Sequence, residues 1–305
     1  MLHHTLSSLG IHILERGWLS SNCVLMLDAH SSSLVDSGHH THASQTVSWV
    51  VQQLNDRPLD RLINTHLHSD HCGANAALQS TFPNLRTFIP SASQNAVQAW
   101  DRSSLTFHDT GQNCPKFQLT DTLRDQEILI LAGLPWQVIA VKGHDPEGII
   151  LFQSNHRILI SADALWNNGF GVVFPEMSAQ SGFQDVEHTL NLIESLAPLV
   201  VIPGHGPVFT DVADALSRAR ARLAYFQQAP SKHIRHGLKV LIKFKLLACK
   251  QASVSNIMAW CRSTPHVHAH MPREESDSYV WLSLLLDELC AAAAVRRVGQ
   301  WVYDH

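Results

Sequence analysis

The sequence predicts an α/β sandwich followed by a small, mainly helical domain. Strands dominate both halves of the first part of the chain, with helices between them, which argues against an all-β barrel or a helical bundle. Charge changes sign along the chain: residues 1–231 carry 12 basic and 20 acidic side chains, and residues 232–305 carry 10 and 6. The step falls just after the polar, proline-containing stretch Gln227–His233, so the expected domains are 1–229 and 230–305. A length of 305 residues suits two such units.

The elements follow in order. Ile11–Glu15, Cys23–Asp28 and Ser33–Asp36 read as short strands. Thr46–Leu54 has the periodicity of an amphipathic helix and stops before Pro58. Arg61–Asn64 reads as a strand, Asn75–Gln79 as a helix, Arg86–Ile89 as a strand and Ser91–Trp100 as a helix. Glu127–Asp163 is rich in strands, with a hairpin turn expected in Phe152–Arg157. Asp185–Leu196 reads as a helix, Leu199–Ile202 as a buried strand and Asp211–Phe226 as a long helix. Beyond the boundary, His233–Lys250, Ser255–Arg262 and Ser278–Val295 read as three helices. Val295–Val298 and Trp301–Tyr303 then form a hairpin around Gly299. Three helices and a hairpin outline a winged helix-turn-helix.

Composition excludes several classes. At 45% hydrophobic and 16% charged residues, the chain is neither disordered throughout nor of low complexity. No apolar run reaches 18 residues, so no membrane helix is expected. The start, MLHHTLSSLG, lacks the pattern of a secretory signal. Six cysteines without CxxC spacing suggest reduced thiols and a cytoplasmic protein. The anomaly is histidine: 21 residues, against 22 Lys plus Arg.

Some of these histidines stand at ligand spacing. His66-Leu67-His68-Ser69-Asp70-His71 follows a predicted buried strand and precedes a predicted helix. His66 and His68 leave the same face of an extended chain. Asp70 and His71 are adjacent and point elsewhere, so one loop offers two pairs of donors to two neighbouring cations. Imidazole and carboxylate are the usual donors of a hydrolytic Zn²⁺ site that keeps a position open for water. Further donors stand at strand ends: His144 in KGHDPEG, Asp163 in ISADALW and His205 in VIPGHGP.

HLHSDH, GHDPEG, SADAL and PGHGP, in this order, resemble the five-histidine, two-aspartate pattern of the metallo-β-lactamase superfamily, and within it the glyoxalase-II-like hydrolases. The likeness covers about residues 10 to 226. It implies an αββα sandwich. It also implies that His66, His68 and His144 bind one divalent metal, Asp70, His71 and His205 a second, and that Asp163 bridges both. The metals are expected to be Zn²⁺, with Fe or Mn also tolerated by such donors. A hydroxide bridging the metals would be the nucleophile, with Asp70 and Asp163 as the catalytic residues and Asp70 placed to pass a proton to the leaving group.

Neighbouring residues are weighed against this site. Asp36 matches a position that supports the metals, or serves as a turn residue. Cys72 reads as a small buried residue, and the loop Trp166–Gly171 as a substrate wall or a packed turn. His39, His40 and His42, and His266, His268 and His270, read as exposed loop histidines. Arg218, Arg220 and Arg222 do not share one face, since alternate helical residues are about 200° apart, and read as part of a solvated helix. Arg296 and Arg297 near the hairpin do not make a basic recognition face, so nucleic acid is not the expected partner.

The segment ALWNNGFG after Asp163 departs from the cysteine- and arginine-bearing turn of true glyoxalase II. The metal chemistry therefore carries over and the glutathione substrate does not. The expectation is a dinuclear metallohydrolase acting on a small ester, thioester or lactone. A nuclease or phosphodiesterase of the same fold, and a metal-bearing regulator without turnover, are the alternatives. The partner is a small molecule, no membrane is involved, and a homodimer stays open.

Overall fold

The computed structural model describes residues 2–305. Its first sheet runs in chain order through β1 (Ile11–Leu14), β2 (Cys23–Leu27), β3 (Ser32–Val35), β4 (Arg61–Ile63), β5 (Arg86–Pro90) and β6 (Asp121–Leu123). The pairs β1–β2 and β2–β3 are antiparallel, and β3 to β6 are parallel. The second sheet holds β7 (Ile128–Leu131), β8 (Leu134–Val141), β9 (Gly148–Gln153), β10 (Ile158–Ala162) and β11 (Val200–Pro203), in the order β11-β10-β9-β8-β7. Only β10 and β11 are parallel there. The hairpin expected in Phe152–Arg157 joins β9 to β10, with Gln153 opposite Ile158.

The period of two in each strand sorts side chains into layers. In β2, Val24 and Met26 face the core between the sheets, while Cys23 and Leu25 face the helices Ala43–Leu54 and Asn75–Thr81. In β9, Ile149 and Leu151 join the same inter-sheet core, while Ile150 and Phe152 pack under the helices Phe183–Leu196 and Val212–Gln228. Trp136 is buried at the centre, its indole N–H donating to Leu131 O at 3.2 Å. Helix, sheet, sheet and helix thus form the αββα sandwich.

The helix Pro230–Cys249 begins immediately after Ala229, followed by β12 (Gln251–Ser253), the helices Val254–Ser263, Pro265–His268 and Glu275–Ala291, β13 (Val295–Val298) and β14 (Trp301–Asp304). The last three strands form an antiparallel sheet in the order β12-β14-β13. The core of this helical region also takes in Val172, Phe174 and Met177 from the sandwich.

Some elements differ from the expectation. The helix expected to run to Val295 ends at Ala291, although alanine favours helix. Ala293 turns left-handed (φ 52°), Ala294 O accepts from Lys243 Nζ, and Val295 starts β13. A tertiary contact and strand pairing override local propensity there. The helix expected over Ser91–Trp100 is a 3₁₀ turn followed by a helix over Gln94–Ala99. The helices Leu2–Ser8 and Phe174–Met177 and the three-residue strands β6 and β12 have no counterpart in the sequence reading. All six cysteines are free, and among the described residues no helix is long and apolar enough to cross a membrane.

Candidate metal centre

β3, β4, β8, β10 and β11 run into loops at one edge of the sandwich, and those loops carry the polar residues. After β4 the chain passes Asn64 and Thr65 and enters His66–His71. His68 takes extended angles (φ −65°, ψ 149°) before the short helix Ser69–Cys72. The change from extended to helical backbone turns Asp70 and His71 away from His66 and His68.

The structure brings together all seven donors that the sequence singles out. His66, His68 and His144 form one group, and Asp70, His71, Asp163 and His205 another, each with donor atoms within 4.8 Å of one another. In the first group, His68 Nδ1 lies 3.1 Å from His66 Nε2 and 2.8 Å from His144 Nε2. In the second, His205 Nε2 lies 3.1 Å from Asp70 Oδ2, and His71 Nε2 lies 3.3 Å from Asp163 Oδ1. Asp163 belongs to the second group and touches the first, its Oδ2 lying 3.3 Å from His144 Nε2.

Hydrogen bonds at the far sides of the rings fix which nitrogen points inward. His144 Nδ1 donates to Val172 O at 2.6 Å, which leaves Nε2 as a lone pair. His71 Nδ1 donates to Asp36 Oδ2 at 2.7 Å. His66 Nδ1 donates to Thr65 Oγ1 at 3.2 Å, and that hydroxyl donates to the same Asp36 oxygen at 2.7 Å. Asp36 thereby orients one histidine in each group. Its backbone is left-handed (φ 58°), and its other oxygen accepts from Thr65 N at 2.9 Å. His68 Nε2 faces Asp145 Oδ2 at 3.4 Å, so the residue after His144 in GHDPEG also meets the donor set.

These features fit cations. His71 Nε2 is buried, points at the carboxylates and has no hydrogen-bond partner. Burial, and then neighbouring imidazoles, push the pKa of His66 well below the ordinary value. Burial likewise brings His68 and His144 to about 4, so three neutral rings turn lone pairs toward one point. In the second group burial opposes charge, yet Asp163 and Asp36 hold His71 well above its ordinary value. Desolvation likewise acts against the Asp163 charge, but His71 and His205 outweigh it and keep that carboxyl ionised. Two carboxylates packed this closely call for positive charge between them.

The backbone is shaped to the same end. A Cβ at Gly204 would overlap Asp163 Oδ1, and one at Gly171 would overlap His144 Nδ1. Only glycine lets those turns lie against the donors.

Five of the seven donors, His68, Asp70, His144, Asp163 and His205, line a cavity of about 190 Å³. Trp18 lies parallel to His205 with ring centroids 5.5 Å apart, and Trp166 stands edge-on to both. Of the loop Trp166–Gly171, Trp166 is thus wall, donating from Nε1 to Asp163 Oδ1 at 3.2 Å, whereas Phe170 is core. Gln112, Phe174, Arg222, His236 and Phe244 also line the cavity, and the sequence reading named none of these five as site residues, having placed Arg222 on a solvated helix. Arg222 is half-buried because it sits three residues after Ala219 and four before Phe226, on the buried stripe of its helix. That spacing was a usable signal.

Other candidates fall outside. Cys72 is buried, its thiol 3.3 Å from His68 O and 3.7 Å from Cys114 Sγ, and burial holds it protonated. His39 is buried rather than exposed, and His42 Nδ1 contacts Ser20 Oγ at 2.8 Å. His266 stacks on Phe174, and His270 Nε2 donates to Met177 O, so both are tied to the sandwich rather than loose loop histidines, while His268 is exposed. Arg296 stacks over Tyr303 and Arg297 meets Asp287, away from the donors.

Known proteins resemble this chain at low identity. The hydroxyacylglutathione hydrolase GloC of Haemophilus influenzae is 23% identical over 216 residues, 66% of this chain and 93% of that protein. A probable hydroxyacylglutathione hydrolase of Schizosaccharomyces pombe is 25% identical over 151 residues, which span about half the length of each (48%). Among solved structures, a metallo-β-lactamase family protein of Thermus thermophilus superposes with a TM-score of 0.55 at 19% identity, covering 97% of this chain and 99% of that one. A protein solved in a di-iron-bound form gives 0.54 at 23% identity, over 68% of this chain and 98% of its own. These superpositions establish the fold. The family match itself runs from residue 16 to residue 205, from the loop after β1 to the last histidine of the donor set. This chain belongs to the metallo-β-lactamase superfamily.

Proposed function

We propose that the protein is a dinuclear metal-dependent hydrolase of a small ester, thioester or lactone. The observation that carries this reading is the meeting of two donor groups at Asp163 on the floor of an aromatic-walled cavity. His66, His68 and His144 would hold one divalent cation, Asp70, His71 and His205 the other, and Asp163 both. Zn²⁺ suits these donors best, and Fe fits the same set. When bound, such a pair supplies Lewis acidity and lowers the pKa of water toward about 7.

The chain's own residues do the rest. Asp36, through Thr65, and Val172 O keep the Nδ1 protons of His66 and His144 outside, so their Nε2 atoms stay free, while Asp36 turns His71 Nε2 toward Asp163, where a cation would take the place of its second proton. Asp70 lines the cavity and bonds to His205, which places its carboxylate to take up a proton and return it to a leaving group. Trp18 and Trp166 pack on the His205 ring and form an aromatic wall beside it. Residues 230–305, as a winged-helix-like domain, would close the cavity and shape it for its substrate.

Elemental analysis of the tag-free protein beside His144→Ala, Asp163→Ala and His205→Ala tests the reading. About two equivalents of metal, reduced in each variant and accompanied by turnover of a thioester, ester or lactone, are expected. Full occupancy in all three variants would overturn the donor assignment.

A further inference from the structure

Arg222 is a cation in the cavity without a counter-ion. Its guanidinium lies over the rings of Phe170 and Phe226, 5.4 Å from each centroid. One Nη2 proton goes to His236 Nε2 at 2.8 Å. Two nearby cations are paired, Arg220 with Glu194 at 2.7 Å and Lys239 with Glu288 at 2.9 Å, and the exposed Arg218 bonds to Asn167. Among the described residues no carboxylate lies within ion-pair distance of Arg222.

His236 does not supply the missing charge. It accepts from Arg222 at Nε2, so its own proton is on Nδ1. Burial and then the neighbouring Arg222 push its pKa down to about 3, leaving a neutral ring. The other groups that act on it, His233 and Lys239, are also basic. Arg222 and His236 bring hydrogen-bond donors and no negative charge to a cavity that is also lined by two carboxylates, Asp70 and Asp163, and by the apolar Val240, Leu241 and Phe244.

A half-buried guanidinium stripped of water is costly unless an anion meets it. Two flanking rings hold its plane in place, and a planar fork matches the two oxygens of a carboxylate. We infer that Arg222, backed by His236, docks a carboxylate of the substrate, so that the substrate class is a small acyl ester or thioester carrying a free carboxylate at the end away from the scissile bond. The scissile-bond part rests on the hydrolase reading above; the carboxylate part rests on Arg222 alone. Arg222 and five of the metal donors line the same cavity of about 190 Å³, which suits a small substrate.

The test pairs the monoester of glutarate with 4-nitrophenol against its neutral isostere, 4-nitrophenyl 5-methylhexanoate, on the metal-loaded full chain. Wild type is expected to favour the anionic ester at least tenfold in kcat/KM. Arg222→Met is expected to bring that ratio close to one through the KM of the anionic ester, and Arg222→Lys to restore part of it. Arg222→Gln serves as a second charge-removing variant if Met alters the near-ultraviolet circular dichroism. Calorimetric titration with glutarate supplies a readout without turnover: affinity is expected to fall about tenfold or more in Arg222→Met and to weaken with added salt. A ratio that survives Arg222→Met, or glutarate affinity equal in wild type and variant, would overturn the inference. Arg222-dependent glutarate binding with no cleavage of either ester would support it while removing the hydrolase reading.

Discussion

Asp36 illustrates how one side chain serves two metal positions. Its Oδ2 takes the Nδ1 proton of His71 directly and reaches His66 through the Thr65 hydroxyl. Removing such a support usually costs about 10- to 100-fold in metal affinity. Here Asp36→Ala is expected to weaken both positions, because each group loses the bond that fixes a ring. Competition with a chromophoric chelator reads the two affinities separately. Loss at one position with the other unchanged would mean that the Thr65 relay does not orient His66. The same residue shows what sequence can tell. Asp36 follows β3 in LVDSG, where the family resemblance implies a support for the site and the local pattern alone suggests a turn residue. The hydrogen bond to His71 depends on β3 and β4 lying side by side, a long-range fact that local pattern does not carry.

At the scale of elements, the segment Val172–Phe174 ties the donor set to the helix Pro230–Cys249. Val172 O holds His144, Val173 N donates to His233 Nε2 at 3.1 Å, and Phe174 packs edge-on to His68. His233 is buried beside Phe183 and Phe226, and burial, with Arg222, brings its pKa down to about 4. The neutral ring is therefore the folded form, whereas the unfolded chain takes up the proton near pH 6.5. Its contribution is complete above pH 6.5 and is lost as pH falls toward 4, by up to about 3 kcal/mol. Urea unfolding of wild type and His233→Gln between pH 7 and 4.5 isolates this term. Wild type is expected to lose stability more steeply, and parallel slopes would refute the assignment. This tie was not legible beforehand. The strands were readable because alternation in CVLML or GIILFQ reports two buried faces, and the donors were readable because they stand at strand ends. VVFPEM has no period, and its short helix exists because Val172, Phe174 and Met177 are covered by a helix about 60 residues downstream. Arg222 lies between these cases: its position on a buried stripe was in the sequence, but two neighbouring arginines on exposed faces obscured it.

At the scale of the whole molecule, the charge step that marks residue 230 does not mark a break in packing. Val172, Phe174 and Met177 belong to the same apolar core as Leu238, Leu241 and Leu285, and the cavity is lined by Trp18 and Trp166 from the sandwich together with Val240 and Phe244 from the helix Pro230–Cys249. Linked units that share only a small polar interface move and unfold independently, whereas a shared hydrophobic core couples them. The coupling passes through Gly237, where a Cβ would overlap Met177 Sδ and approach Val172 Cγ1 at 3.3 Å. Glycine costs helix stability at a mid-helix position, by about 1 kcal/mol relative to alanine, so its use here is set by the close approach. The chain is expected to unfold in urea in one transition, with far-ultraviolet circular dichroism and tryptophan fluorescence coincident. Gly237→Val is expected to push the helix off the Val172–Met177 segment, split the curve into two transitions and lower the affinity of the cavity for its ligands. The local helix itself gains nothing from remaining glycine, so a surface role for Gly237 predicts a variant as cooperative as wild type. Two transitions already present in wild type would mean that the shared core is too weak to join the halves, and the C-terminal region would then be a mobile cover over the donor floor.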